Sequence, residues 1–261
     1  MADGSRARQS RGGSWAGLAR IVLLVVLAGS APAAFGATVV LEPVRDNTLY
    51  EHPTGALSNG AGDSLYCGTT SGNWRRRALL AFDVAGNVPA GAQIASARLQ
   101  LRMTRTIAGP FAVELRRLTA DWGEGTSDAE GSEGDGAAAT LGDATWIHSF
   151  WATTTWATVG GDFAATPSAT QTVDDIATYT WGPTAEMASD VQDWLESPAA
   201  NFGWVLLGYE SDFPTAKRFN SRENNDTPNR PKLEIVYLVA IFHDGFESGD
   251  VAEWSLVEPP G

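Results

Sequence analysis

One cysteine, two lysines and three histidines are all that this 261-residue chain carries of those types. With Cys67 alone, no intrachain disulfide can form, so stability must come from a packed core. Cys67 itself is expected to pack as a small buried hydrophobe. His52, His148 and His243 stand in unrelated contexts, and no H-E-x-x-H or comparable zinc spacing occurs. No G-x-S-x-G elbow occurs, and no G-x-G-x-x-G or Walker loop follows a strand. Carboxylates are plentiful, but nothing in their spacing marks a glycosidase-like pair. No catalytic residue is assigned, and the chain reads as a non-enzyme. Long apolar runs are also missing. The longest, Ile21 to Gly29, falls short of the roughly 20 residues that cross a bilayer, so no membrane span is expected. Positive charge is scarce, with 18 Lys and Arg against 31 Asp and Glu and a net charge of -13. A body this acidic repels phosphate backbones, which excludes nucleic acid as a partner.

The first residues have the order of a secretory signal peptide. Arg6, Arg8, Arg11 and Arg20 precede the short apolar run, and Ala31-Pro32-Ala33-Ala34-Phe35-Gly36-Ala37 supplies small residues for cleavage between 33 and 37. Residues 1–36 are therefore assigned to the signal, which makes the protein secreted or surface-held. Hydrophobic residues make up 43% of the chain, ample for one core. A body of this size is commonly a single all-β domain.

That body reads as strands parted by Gly, Pro, Asn and Asp. Ala97, Leu99, Leu101 and Met103 alternate with Arg98, Gln100 and Arg102, the period of a strand with one buried face. Phe111 to Leu115 and Lys232 to Tyr237 alternate likewise. Arg77 to Val84 and Gly203 to Tyr209 are more continuously apolar, as central strands are; Val39 to Val44 and Ser64 to Cys67 are weaker candidates. One short helix is expected, opened by a Ser189/Gln192 capping box and closed near Ser197-Pro198, with Val191, Trp194 and Leu195 on one face. The sum is an antiparallel two-sheet β-sandwich. Residues 123–143 form a Gly- and acid-rich insertion without a base, read either as a solvated mobile loop or as a structural calcium site. No other cofactor is expected.

Tryptophan is abundant. Trp194 and Trp204 fall on the helix face and a central strand and belong to the core. Trp122, Trp146, Trp151 and Trp156 lie in or beside Gly/Thr-rich loops, where an indole either stacks on a sugar ring or caps the end of the sandwich. Trp74 stands next to Arg75-Arg76-Arg77, the densest cationic run of the body, and Arg offers a planar fork suited to carboxylates. Ligand binding is thus expected at Trp74 and Arg75 for an acidic polymer, or at Trp122, Trp146, Trp151 and Trp156 for a neutral one. Arg222 and Glu223 are read as neighbours on a strand whose side chains point to opposite faces. Arg222 is expected to form a part-buried ion pair with Asp83 or Asp46 while Glu223 faces a loop.

Read in order, these pieces resemble the DNRLRE-domain family, secreted modules also classed among carbohydrate-binding modules. The resemblance runs from Arg45-Asp46-Asn47-Thr48-Leu49-Tyr50 through Arg76-Arg77-Ala78-Leu79-Leu80-Ala81-Phe82-Asp83 and Val88-Pro89-Ala90-Gly91-Ala92. It continues in Asp121-Trp122-Gly123-Glu124-Gly125 and Gly142-Asp143-Ala144-Thr145-Trp146. It ends in Val191-Gln192-Asp193-Trp194, Asn201-Phe202-Gly203-Trp204, Phe219-Asn220-Ser221-Arg222-Glu223 and Arg230-Pro231. Residues 38–238 are covered. The resemblance implies a jelly-roll sandwich over residues 37–238, recognition of a polysaccharide (acidic polymers such as alginate being one family example), and a structural role for Arg77, Asp83, Arg222, Glu223 and Arg230. Residues 239–261 resemble a D-G-F-E-S-G…W-S segment at the ends of exported bacterial proteins, either a sorting tag or an ordered end-cap. The expected function is a secreted, non-catalytic polysaccharide-binding module. The alternatives are a structural or adhesive envelope protein and a polysaccharide-cleaving enzyme.

Overall fold

The computed structural model describes residues 34–131 and 133–240. Most of the signal segment, and the tail after residue 240, lie outside the described residues. Strands β1 (Ala34–Leu41), β2 (Arg45–Tyr50), β3 (Leu57–Ser58), β4 (Ser64–Thr69), β5 (Arg75–Ala81), β6 (Gln93–Thr106), β7 (Phe111–Arg117), β8 (Ala137–Ala138), β9 (His148–Phe150), β10 (Thr154–Thr155), β11 (Ala169–Val173) and β12 (Thr178–Trp181) precede helix α1 (Ala185–Glu196). Strands β13 (Trp204–Leu207), β14 (Lys217–Asn220) and β15 (Lys232–Ala240) follow it. The fold is all-β and jelly-roll-like, with one α-helix among the described residues. Residues Ala34 to Gly36 already belong to β1, and β15 runs two residues past 238.

Eleven strands make one curled antiparallel sheet in the order β1-β15-β6-β14-β4-β5-β13-β7-β11, with β12 on the other edge of β6 and β2 on β5. β4 carries the sheet from one layer to the other. Its residues 64–67 pair with β14, and Gly68 and Thr69 pair with β5. Register shifts at Arg218/Phe219 and Val236/Tyr237 bend the strands they interrupt.

Inside the curl lies the main core. Ala97, Leu99, Leu101 and Met103 of β6 are fully buried in it, as their alternation predicts, facing Leu80, Leu115, Leu206 and Phe219. Cys67 is buried here too, and its burial pushes the thiol pKa far up, so it is a packing group rather than a reactive one. Helix α1 closes this core with Met187, Val191, Trp194 and Leu195. Its true N-cap is Thr184, whose hydroxyl accepts from the Met187 amide at 3.1 Å. The Ser189 reading is therefore corrected: Ser189 sits mid-helix, where every amide already has a backbone acceptor. The closing at Ser197-Pro198 is as expected.

A second core covers the outer face of β2, β5 and β13. Leu49, Leu79, Ala81, Val205 and Leu207 point outward there, under Leu118, Trp122, Ala144, Trp146 and Trp156. This double burial is why β5 and β13 read as continuously apolar rather than alternating. It also corrects the view of residues 123–143 as a solvated mobile loop. Ser127, Ala129, Glu133 and Asp143 within it are buried. Gly125 serves close packing there: it holds φ +72°, and a Cβ on it would stand 1.4 Å from Asp143 Oδ1. The acids Glu133 and Asp143 accept from backbone amides of Asp63 and Thr140, which ties the segment down.

Candidate functional site

Three of the four loop tryptophans have no ring face to offer a ligand. Trp122 is fully buried, and its Nε1 donates to Phe202 O at 2.8 Å. Trp146 and Trp156 are 6% and 5% exposed, and Trp156 Nε1 donates to Thr145 O. Trp151 is half-buried, edge-on to His148 at 4.7 Å. Among the described tryptophans only Trp74, at 42%, is well exposed. The physical reason is the second core: a β-sheet face this apolar must be covered, and the indoles cover it.

The Arg75-Arg76-Arg77 run is likewise not an open cationic edge. Arg75 is gripped by both carboxylate oxygens of Glu51, at 2.9 and 2.6 Å. Arg77 is buried, paired through two nitrogens with Glu210, and stacked 4.7 Å over Trp146. Arg76 is buried over the Tyr50 ring, and its Nε donates to Gly134 O. Asp83 is exposed, and its Oδ1 accepts from the Gly86 amide, so it shapes a turn and does not meet Arg222.

Positive charge that no acid neutralises collects elsewhere. Arg45, Arg75, Arg77, Arg98, Arg116, Arg117, Arg222 and Arg230 all pair with carboxylates. Among the described residues, Arg76, Arg102, Arg105 and Arg218 form no such pair. Arg105 and Arg218 are cross-strand neighbours on β6 and β14. With Tyr66, Thr70, Thr106 and Asp135 they line an open groove of about 180 Å³. Arg218 Nε donates to Thr104 Oγ1 at 3.0 Å, and its side chain also hydrogen-bonds Tyr66. Arg102 lies two residues from Thr104 on the same face. Trp74 stands at the end of the turn that begins at Thr70, where its amide donates to Thr70 Oγ1. Beneath the groove the Lys217 ammonium is buried and donates to Thr106 Oγ1, Ala108 O and Gly109 O, which fixes the β6–β7 turn.

Sequence reasoning missed Arg105, Arg218 and Tyr66. The period of two in β6 places Arg105 inward, in phase with Met103. The register shift opposite Arg218/Phe219 inserts Thr104 as an extra residue and turns Arg105 outward beside Arg218.

A second constellation gathers Asp46 from β2, Glu124 from the insertion and Glu223 after β14. One carboxylate oxygen of each lies within 4.8 Å of the others. β14 ends at Asn220, so Arg222 and Glu223 occupy a bend and the strand rule of opposite faces does not apply. Their side chains meet instead: Arg222 Nε lies 2.7 Å from Glu124 Oε1 and 2.9 Å from Glu223 Oε1. Asp46 takes the Arg222 backbone amide at 2.7 Å rather than its guanidinium, which corrects the expected pairing. Arg230 Nε donates to Asn224 O and holds the bend from below. Burial pushes the Asp46 carboxyl well up, and the nearby Glu223 charge adds to it. Burial, opposed by Arg222, pushes Glu223 up to about 7. Gly60 lets the chain pass here, since a Cβ on it would stand 1.8 Å from Glu124 O.

No protein-family model matches the chain, and no curated protein is similar to it.

Proposed function

We propose that this is a secreted, non-catalytic module that binds an acidic polysaccharide, and that the groove of Tyr66, Arg105 and Arg218 receives it. The observation that carries this reading is the segregation of charge. In a chain of net charge -13, the solvent-accessible arginines left without acids, Arg102, Arg105 and Arg218, lie on β6 and β14, and Arg105, Arg218 and Tyr66 form one cross-strand row along the groove. Guanidinium forks recognise uronate-type carboxylates in a planar, two-point manner. Trp74, exposed on the turn that begins at the groove residue Thr70, supplies an apolar ring for a sugar face. The resemblance to DNRLRE-domain modules over residues 38–238 points the same way. A cleaving activity finds less support. Asp46 in the carboxylate cluster is fully buried, so a sugar ring has no path to it, and Glu124 and Glu223 are both engaged by Arg222.

An array of acidic and neutral polysaccharides, with lyase and reducing-sugar assays run on the same samples, tests the reading. Retention by acidic polymers without product release supports it. Turnover of any polymer replaces it with the enzymatic alternative, and silence on every polymer replaces it with a structural role in the envelope.

A further inference from the structure

The Asp46–Glu124–Glu223 cluster has a chemistry that the groove does not use. Three carboxylates gather beside a single guanidinium, that of Arg222, which contacts Glu124 and Glu223 while Asp46 takes the Arg222 backbone amide. The other nearby guanidinium, Arg230, donates to main-chain oxygens of Asn224 and Glu223 and is paired with Glu42. The cluster therefore holds more carboxylates than cationic partners. Two of its oxygens are buried with no hydrogen-bond partner: Asp46 Oδ1, on a residue with no exposed surface, and Glu223 Oε2. A buried carboxylate oxygen without a donor is costly, and such atoms call for an explanation. The other oxygens of the cluster are occupied in a directed way. Asp46 Oδ2 takes the Arg222 amide and Glu124 Oε1 takes the Asp46 amide, so the orphan pair is what the main chain leaves over.

We infer that this cluster binds one calcium ion. The donor set is entirely carboxylate oxygen, which selects a hard cation over zinc or copper. Oxygens within 4.8 Å of one another suit an ion with bonds of roughly 2.3–2.6 Å, and a doubly charged ion suits three carboxylates served by one guanidinium. Calcium accepts irregular carboxylate arrangements, whereas magnesium demands near-octahedral geometry and holds its waters. Access exists because the Glu124 and Glu223 side chains are 20% and 24% exposed. The site joins three segments far apart in the chain: β2, the insertion after Trp122 and the bend after β14. The ion acts as a staple there, in a protein that has no disulfide.

The test is a thermal melt of the purified full-length protein, stripped with EDTA and returned to 1 mM CaCl2. The melting temperature should rise by about 4 °C, a typical gain for an extracellular calcium site at that concentration. Calorimetric titration with CaCl2 should give one site. Asp46→Asn and Glu223→Gln should each abolish the calcium response. Glu223 is partly exposed, so its variant keeps the fold where Asp46→Asn fails to fold. A double variant at the exposed loop acids, Asp128→Asn with Glu130→Gln, should respond as the wild type does. The inference is overturned by a wild type that shows neither binding heat nor a shift. It is equally overturned by a response that survives Glu223→Gln, or by one lost in the loop double variant.

Discussion

At the scale of single residues, the decisive contrast is between two tryptophans. Trp122 fills the second core and is fully enclosed, while Trp74 stands on an exposed turn. Trp122→Ala should cost about 3–5 kcal/mol of stability, as truncation of a packed aromatic does. Trp74→Ala should stay within about 0.5 kcal/mol while weakening any glycan binding. Chemical denaturation of both variants checks this, and a mild Trp122→Ala effect would mean that the second core is loosely packed. Charge follows the same division. Glu51 bridges the end of β2 to Arg75 at the start of β5, and the hydrogen bond from Arg75 lowers its pKa from the ordinary 4.5. The sign is that of a depressed acid: the folded state holds its proton less tightly than the unfolded chain. The pair therefore adds stability above pH 4.5 and loses it as pH falls through the lower folded value. Glu51→Gln should accordingly be less stable than the wild type at pH 6, by no more than about 1 kcal/mol for so exposed a pair, and equal to it in strong acid.

At the scale of elements, helix α1 separates two readings of one stretch of sequence. Thr184→Ala should destabilise the protein by about 1 kcal/mol, whereas Ser189→Ala should leave it unchanged within about 0.5 kcal/mol. Equal effects in thermal melts would contradict the observed cap. The helix face and its end at Ser197-Pro198 were legible because apolar spacing and proline act locally. The start was not, because Ser189-x-x-Gln192 satisfies the capping pattern while lying inside the helix. The alternating strands were legible for the same local reason, and β6 buries the residues that its period names. Arg105 escaped because a bulge is set by the pairing partner, β14, more than 100 residues away. The tryptophans in Gly-rich loops were ambiguous in principle: exposed platforms and covering rings share one composition. Only the apolar outer face of β5 and β13 decides between them. Arg222 and Glu223 were misplaced because the strand that precedes them stops two residues early.

At the scale of the molecule, a curled sheet with a covered outer face divides the surface by charge. Acids are spread widely, most arginines are neutralised by them, and the solvent-accessible arginines without an acid partner, Arg102, Arg105 and Arg218, lie along β6 and β14. This distribution is the basis of the functional reading, since an acidic polymer approaching a net-negative protein needs one place of opposite sign. The carboxylate cluster is a separate feature, and calcium there would strengthen the frame without touching the groove. Affinity electrophoresis through alginate at low and high salt puts the groove to the most direct test, comparing the wild type with an Arg105→Ala/Arg218→Ala variant of unchanged melting temperature. The wild type should be retarded, less so at high salt, and the variant should bind about 100-fold more weakly, each lost arginine contributing about tenfold. A variant retarded as strongly as the wild type would contradict the account.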